Sequence, residues 1–197
     1  MPPRAGEHLA GQHVLLTGAT GFLGQATLER LLSAYPETRV SLLVRPRGSQ
    51  SGADRLPSLL RKQVFKRWRD EVGDEEVQRA VAERVSVIDG GLGGGPPPEL
   101  PDDLDVVIHS ASTVSFDPPI DEAFRTNVDG VANLYEALRH AGADAHVVHI
   151  STAYVAGVRK GVVREEPLTH DVDWRTEAQP KWAHTFLASY RVAILAG

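Results

Sequence analysis

One short stretch of this sequence, TGATGFLG at residues 17–24, restricts the possible folds more than any other. It places Gly18, Gly21 and Gly24 at intervals of three, directly after the apolar run HVLLT. Glycines at this spacing let the chain turn tightly out of a buried strand and into a helix, whose first amide groups can face an anion. The motif therefore predicts a strand, a turn and a helix that together bind the pyrophosphate of a dinucleotide.

Short runs rich in valine, isoleucine and leucine recur along the chain. They lie at His13–Thr17, Arg39–Val44, Arg84–Ile88, Asp105–His109 and His146–Ile150. Runs of this length and composition are typical of strands that are buried on both faces of a parallel sheet. Segments with helical periodicity alternate with them, so the sequence predicts an α/β fold: a doubly wound, Rossmann-like parallel sheet with helices on both faces.

The helical segments have recognisable signals. PIDEAFRTNVDGVANLYEALRHAG carries apolar residues at steps of three and four, and Gly142 is a plausible helix stop. After the second strand, DRLPSLLRKQVFKRWRDEV repeats apolar residues every four positions, which predicts an additional amphipathic helix with a basic outer side. The stretch GGLGGGPPPELPDD reads as a loop between the third and fourth strands.

These elements suggest a simple organisation of the chain. We predict an N-terminal tail over residues 1–12 and a Rossmann-like NADP-binding domain over residues 13–160, with a helical insertion at about 54–83. Residues 161–197 are expected to form a divergent or truncated C-terminal segment.

Composition excludes several classes of partner. The net charge of −5 argues against nucleic acid. The absence of cysteine excludes disulfides and thiolate metal sites and fits a reducing cytoplasm, and the eight histidines show no metal-binding spacing. The sequence has neither a signal-peptide core nor an apolar run of the ~20 residues that a membrane span needs. We expect a cytoplasmic chain, whose basic amphipathic helix leaves peripheral contact with a membrane, or with the phosphates of CoA, as an open alternative.

The end of the second predicted strand indicates which dinucleotide is bound. An acidic residue about 20 positions after the glycines commonly binds the ribose hydroxyls of NAD. Arg45 stands at that distance from Gly24, and Arg47 follows it in LLVRPRG. Arginine pairs well with a phosphate, so the sequence favours NADPH over NADH.

Five motifs together carry a family resemblance. TGATGFLG, LLVRPR, HSASTVSFD, TNVDGVANLYEAL and HISTAYVAG occur in this order and resemble the extended short-chain dehydrogenase/reductases. Within them, they resemble the fatty acyl-CoA reductases, whose NAD(P)-binding domain is of the male-sterility type. The resemblance implies NADPH-dependent reduction of fatty acyl-CoA, or another acyl thioester, to an aldehyde or alcohol. This chain would supply the cofactor-binding portion.

The resemblance also implies roles for individual positions. Thr152, after the fifth strand, would be a catalytic hydroxyl that donates to the substrate carbonyl, and Tyr190 is the candidate proton donor. Arg45 and Arg47 aside, the residues expected to contact or support the cofactor are Gly18, Thr20, Gly21, Phe22, Leu23, Gly24, Ser110, Ala111, Ser112, Asn127 and Ser151.

The sequence departs from the family pattern in two places. The family often has an acidic residue where Gly91 stands, and Asp89 is the nearest carboxylate. The family tyrosine is followed four positions later by a lysine, but Ile194 follows Tyr190. We expect the lysine to be lost or to lie beyond residue 197, through truncation, frameshift or divergence. The alternatives are an NADP-binding module without turnover and another extended-family enzyme, such as a sugar-nucleotide epimerase or dehydratase. Acyl chain length, product stage and oligomeric state stay open.

Overall fold

The computed structural model describes residues 8–93, 98–113, 119–152 and 161–164. Five parallel strands form one sheet in the order β3-β2-β1-β4-β5. The strands are β1 (His13–Thr17), β2 (Arg39–Val44), β3 (Val85–Asp89), β4 (Val106–His109) and β5 (His146–His149). This architecture confirms the predicted Rossmann-like sheet. The bounds of β1 and β2 match the prediction, β3 is shifted by one residue at both ends, and β4 and β5 are each one residue shorter at one end.

Helical elements lie between the strands along the chain. They are α1 (Phe22–Ala34), α2 (Gly52–Leu60), a 3-10 helix (Gln63–Phe65), α3 (Lys66–Val72), α4 (Asp74–Arg84), α5 (Ile120–Phe124), a π-helix (Arg125–Asp129) and α6 (Gly130–Ala141). Gly142 follows α6 with a positive φ of 71°, which ends the helix where the sequence predicted.

The chain divides into two compact units. The first, which we call the sheet unit, takes in Met1–Gly91, Pro96–Ala111 and Leu134–Ile150. The second, which we call the π-helix unit, takes in Leu92–Gly95, Ser112–Asn133 and Ser151–Gly197. The domain limits predicted at residues 12 and 160 stay predictions.

The core of the sheet unit is built around β1, all five of whose residues are buried. Val14, Leu16 and Leu42 pack with Leu28 of α1 in one hydrophobic cluster. The segment after β2 adds Phe65, which is fully buried. Burial of a side chain of this size contributes about 2–3 kcal/mol relative to an exposed one, so the segment after β2 is an integral part of this core.

The prediction of one continuous amphipathic helix after β2 was wrong. The chain forms α2, the 3-10 helix and α3 in succession, although Leu60 and Trp68 face the core as the four-residue steps indicated. The break exposes carbonyl groups at the end of α2, and the guanidinium of Arg69 donates to the carbonyl oxygens of Leu60 and Lys62. A long-range contact of this kind has no signal in local periodicity.

The basic side of this segment is largely compensated by charges of its own. Lys66 pairs with Asp70, and Arg67 pairs with Glu71 at 2.8 Å. Exposed ion pairs at this spacing are worth only ~0.5 kcal/mol, but they cancel much of the positive field of the helix. Over the part of the chain that the structure describes, every helix is too short or too polar to cross a membrane.

At the amino-terminal edge of the sheet, a hydrogen-bonded chain joins three strands. His13 binds Asp103 through Nδ1 at 2.8 Å and Ser41 through Nε2 at 2.7 Å. The hydroxyl of Ser41 contacts that of Ser86 at 2.7 Å. Although the order carboxylate, imidazole, hydroxyl is that of a hydrolase, Ser41 is fully buried. The chain therefore satisfies polar groups inside the sheet, as buried polar groups require.

Candidate functional site

β1 and β4 are parallel neighbours in the sheet although two strands separate them in sequence, so the order in which strands are added across the sheet reverses between them. Their last residues, Thr17 and His109, stand side by side in the register. Gly18 and Ser110 therefore follow at the same edge. Ligands of open α/β sheets bind in the crevice outside the carboxyl ends of the strands at such a reversal.

Gly18 is required at this edge for two independent reasons. Its φ of +73° lies in the region that glycine adopts without strain. A Cβ atom added here would lie 2.7 Å from the backbone of Ser110 and from the amide nitrogen of Ala111. The turn after β1 and the loop after β4 are thus in direct backbone contact. The sequence predicted glycine for the approach of a pyrophosphate, and the contact with Ser110 was not foreseen.

The hydroxyl of Thr17 ties the same two loops together. Its Oγ1 accepts hydrogen bonds from the amides of Ser110, at 3.2 Å, and Ala111, at 3.1 Å. It also lies 2.8 Å from Nδ1 of His109. Thr17 and His109 are both buried, at 0% and 2% exposure. The buried side chain of Thr17, which the sequence analysis did not single out, therefore holds the loop that carries Ser110 and Ala111.

Helix α1 begins at this edge with its first amides uncapped. Gly21 stands at the N-cap without a side-chain hydrogen bond, and the first turn holds no acidic residue. Phe22 is 92% exposed. At Gly24 a Cβ atom would lie 2.1 Å from the carbonyl oxygen of Gly18, so the helix packs tightly against the turn. The first helical turn thus presents amide groups and positive helix-dipole charge where a phosphate would sit.

Arginines gather where β2 ends. Arg45 and Arg47 are exposed, as a role in binding a phosphate requires. Arg55 of α2, which the sequence analysis did not consider, donates from Nη1 to the carbonyl oxygen of Arg45 at 2.6 Å. It also lines a narrow depression together with Thr20 and Leu56. Three arginines therefore follow β2 closely along the chain, and one of them, Arg55, returns to the backbone of Arg45.

The carboxylate of Asp89, which lies two positions before Gly91 in the sequence, is engaged in a hydrogen bond to helix α2. Oδ1 of Asp89, at the end of β3, accepts a hydrogen bond from the amide of Gly52 at 2.5 Å. It therefore helps to cap α2, a helix that also begins with a capping box formed by Ser51 and Asp54. A Cβ atom added at Gly91 would lie 3.5 Å from Cδ of Arg45. The position that often carries an acid in the family therefore lies beside an arginine.

The π-helix unit holds Asn127 at its centre. This side chain is 4% exposed, and its Oδ1 accepts from the amide of Thr113 at 2.9 Å. Its Nδ2 faces the carbonyl oxygen of Thr113 at 3.5 Å. Asn127 therefore holds the backbone at Thr113, directly after Ser112, and its predicted role at the cofactor site stays a prediction. It stands in a π-helix, a rare geometry that often occurs at functional sites.

The same unit contains a contact without a sequence signal. The side chain of Asn133 donates to the carbonyl oxygen of Leu92 at 2.7 Å. A Cβ atom at Gly93 would lie 2.8 Å from the carbonyl oxygen of Arg125. The start of the glycine-rich loop is thereby packed against the π-helix.

The candidate catalytic residues are only partly described. Thr152 is partly buried and Ser151 is exposed; both belong to the π-helix unit. Tyr190 lies outside the described residues. The roles predicted for these three residues, and for each cofactor contact named above, stay predictions.

Two neighbouring histidines, at the ends of β4 and β5, have lowered pKa values. Burial, and then the neighbouring charge of His149, lower the pKa of His109 from its ordinary value near 6.5 to about 4. The two rings stand 5.0 Å apart between centroids. Burial also lowers the pKa of His149. Both imidazoles are therefore neutral near pH 7, and the described residues contain no cluster that could hold a metal ion.

The sheet unit fits a dinucleotide at this edge. Position 18 has no room for a side chain, α1 starts without a cap, and cations stand at the end of β2. These are the features that a pyrophosphate and a phosphorylated ribose require. Its own residues could therefore bind both charged parts of a nicotinamide dinucleotide.

Comparison with known proteins agrees with this geometry. The family described as male sterility protein, an NAD-binding domain, matches residues 16–193. A probable fatty acyl-CoA reductase of Arabidopsis thaliana is 29% identical over 171 residues, which are 82% of this chain and 34% of the relative. Fatty acyl-CoA reductase 1 of Mus musculus is 32% identical over 158 residues, or 79% of this chain and 31% of the relative. The chain thus spans about a third of the length of these relatives.

Solved structures agree as well. The terminal R domain from the myxalamid PKS-NRPS biosynthetic pathway has a TM-score of 0.66 and 27% identity. The match covers 98% of this chain and 45% of that domain.

Proposed function

Because the chain belongs to the male sterility protein family of NAD-binding domains, we propose that it is the cofactor-binding part of an NADPH-dependent reductase of fatty acyl-CoA. The family membership makes it a reductase-type domain for a nicotinamide cofactor. The acyl thioester and the preference for NADPH are the proposed refinements. The relatives from Arabidopsis thaliana and Mus musculus, which are named as fatty acyl-CoA reductases, favour an acyl thioester over a sugar nucleotide.

The observation that carries the proposal is the contact between Gly18 and the backbone of Ser110. It joins the loops after β1 and β4 directly at the crevice where dinucleotides bind in this kind of sheet. The uncapped start of α1 lies on the same side, after Gly21. Amide groups from one helix start can thereby stabilise a pyrophosphate without a metal ion or a bulky side chain.

The preference for NADPH is supported by the arginines beside β2. Arg45 and Arg47 are exposed, and Arg55 reaches the same stretch of backbone. A 2′-phosphate would meet positive charge here, whereas the ribose hydroxyls of NADH lack the usual acidic partner. Asp89, the carboxylate at the end of β3, already accepts a hydrogen bond from the amide of Gly52.

In the proposed reaction, a bound nicotinamide cofactor would supply a hydride to the carbonyl carbon of the thioester, and the carbon–sulfur bond would then break to give an aldehyde and CoA thiolate, which takes up a proton. Thr152 would donate a hydrogen bond to the oxygen that gains negative charge, and such donors contribute a factor of about 10² to 10³ in rate. Tyr190 would supply the proton. In the family pattern a lysine four positions after the tyrosine activates it, and Ile194, which stands at that position here, carries no charge, so we expect little proton transfer near neutrality.

A second candidate function follows from Ile194, which occupies the position of the family lysine. The 197-residue chain would then bind NADPH without turnover. Restoring charge by Ile194→Lys tests whether the missing cation alone is limiting.

The experiment follows NADPH absorbance with a long-chain acyl-CoA, a sugar nucleotide and no substrate. The 197-residue chain should bind NADPH yet show no oxidation with either substrate, with or without Ile194→Lys. A fusion to the C-terminal part of the Mus musculus fatty acyl-CoA reductase 1 should oxidise NADPH only with acyl-CoA. Oxidation with the sugar nucleotide alone would overturn the proposed substrate class. Turnover by the unchanged chain would show that Tyr190 or another residue transfers the proton after all.

We expect at most weak contact between the segment after β2 and a membrane surface. Lys66 and Arg67 are paired with acids, so the segment after β2 has less free positive charge than its sequence indicated. Sedimentation with vesicles that contain anionic lipid should therefore recover little protein. Strong binding that salt reverses would restore the basic surface as a membrane contact.

A further inference from the structure

The hydroxyl of Thr17 has its hydrogen-bonding capacity fully assigned. A hydroxyl oxygen offers two lone pairs and a single proton. Both lone pairs are taken, because the amides of Ser110 and Ala111 can only donate to it. Its proton must therefore point at the remaining neighbour, Nδ1 of His109, 2.8 Å away. That nitrogen is an acceptor and carries no proton.

This assignment fixes the state of a buried imidazole. His109 is neutral and carries its proton on Nε2, since Nδ1 accepts from Thr17. Its surroundings agree. The ring is 2% exposed, β1 presents the hydroxyl of Thr17, and β5 presents the imidazole of His149. Among the described residues, His149 is the titratable group whose charge acts on His109, and it opposes protonation.

We propose that His109 is a positioning residue for the dinucleotide site. By accepting the proton of Thr17, its Nδ1 turns both lone pairs of that oxygen towards the loop after β4. The loop is thereby held against Gly18, at the edge where the cofactor is proposed to bind. This role rests on the proposed function, since it concerns the affinity of that site.

Protonation or removal of the imidazole would disturb this arrangement. With a proton on Nδ1, the oxygen of Thr17 would face three donors with two lone pairs, and one amide of the loop would lose its acceptor. With an apolar side chain at position 109, the hydroxyl proton would have no acceptor in a fully buried place. A buried unpaired donor is costly enough to shift the loop and weaken binding by roughly tenfold or more.

Two substitutions separate the chemistry of His109 from its bulk. In His109→Asn, the amide oxygen can take the place of Nδ1 as acceptor, without a titrating group. In His109→Leu, the acceptor is lost while the site stays filled. We expect the leucine variant to bind NADPH roughly tenfold more weakly, and the asparagine variant to recover most of that loss. His146→Leu, on the exposed amino end of β5, is the matched control and should bind like the unchanged chain.

The partner position gives the second arm of the test. Thr17→Ser keeps the hydroxyl and should retain affinity, whereas Thr17→Val should lose more than His109→Leu, because the amides of Ser110 and Ala111 also lose their acceptor. The double variant Thr17→Val/His109→Leu should be no weaker than Thr17→Val by more than about threefold, because without the hydroxyl the residue at position 109 has nothing to orient. Thermal unfolding of each variant shows that the affinity is measured on folded protein.

Nitrogen NMR of the imidazoles in the unchanged chain tests the tautomer without any cofactor. His109 should show a neutral ring with its proton on Nε2 at pH 7. A proton on Nδ1, or equal NADPH affinities for His109→Leu and His109→Asn, would overturn the positioning role. If the unchanged chain binds neither NADPH nor NADH, both the proposed function and the positioning role fail. The NMR result then still shows whether the hydrogen bond between Thr17 and His109 is assigned correctly.

Discussion

A Cβ atom at Gly24 would lie 2.1 Å from the carbonyl oxygen of Gly18, so helix α1 and the turn after β1 meet without room for a side chain. The third glycine of the motif thus serves packing between helix and strand. The first, Gly18, combines a positive φ with the contact to Ser110. These separate roles can be measured separately.

Alanine substitutions at Gly48 and Gly18 should lower the free energy of unfolding by different amounts, because the space around the two positions differs. Gly48→Ala meets only the strain of a positive φ, because its Cβ atom would have open space, and it should cost about 1–2 kcal/mol. Gly18→Ala meets the same strain and a backbone clash, so it should cost roughly 1–3 kcal/mol more. Urea unfolding of the two variants measures both values. Equal losses would show that the loop after β4 does not press on Gly18.

The arginines beside β2 should set the choice of cofactor. Arg45→Ala should reduce the preference for NADPH over NADH roughly tenfold to a hundredfold, because a charged hydrogen bond to phosphate contributes about 1.5–3 kcal/mol. Arg55→Ala should also reduce it, through loss of charge and of its bond to the carbonyl oxygen of Arg45. Arg61→Ala, an exposed arginine on the adjoining turn, is the control. Calorimetric affinities that keep the same ratio in both test variants would exclude these arginines as phosphate ligands.

Acid should destabilise the sheet unit through His109. Its folded-state pKa lies near 4, below the ordinary value near 6.5, so the unfolded chain takes up the proton first as the pH falls. Stability is therefore lost from about pH 6.5 down to pH 4, and the part due to His109 between pH 7 and pH 5 is about 2 kcal/mol. Urea unfolding of the unchanged chain and of His109→Asn at both pH values isolates this part. An identical pH dependence in the two proteins would contradict it.

Arg84, the last residue of α4, should stabilise the carboxyl end of α1. Its guanidinium donates to the carbonyl oxygens of Leu32, at 2.7 Å, and Tyr35, at 3.0 Å, and burial lowers its pKa. Arg84→Leu should cost about 1–3 kcal/mol, because the last carbonyls of the helix lose their donors. Arg79→Leu removes a more exposed arginine that pairs with Glu76, and it should cost under about 1 kcal/mol. Similar losses in both variants would remove the capping role of Arg84.

Much of this fold could be predicted from local sequence. The bounds of β1 and β2 followed from short apolar runs, because both faces of these strands are buried. The stop at Gly142 followed from glycine chemistry. Such features depend on neighbours along the chain, which the sequence displays directly.

Other features depend on contacts that local patterns do not contain. The break after Leu60 is accompanied by Arg69, which returns from the next helix, and Arg55 reaches back to the carbonyl of Arg45. Thr17 and His109 are 92 positions apart, and only the register of β1 with β4 brings them together. The motif HSASTVSFD marked the loop after β4, but nothing local indicated what holds that loop in place.

The most direct test of the account is calorimetric titration of the folded 197-residue chain with NADPH and with NADH. The arrangement of Gly18, the uncapped start of α1 and the arginines beside β2 predicts binding of one NADPH per chain. NADPH should bind roughly tenfold or more tightly than NADH, since only NADPH carries the 2′-phosphate that those arginines can pair with. A folded chain that binds neither cofactor would contradict the central claim, and equal affinities would contradict the proposed preference for NADPH.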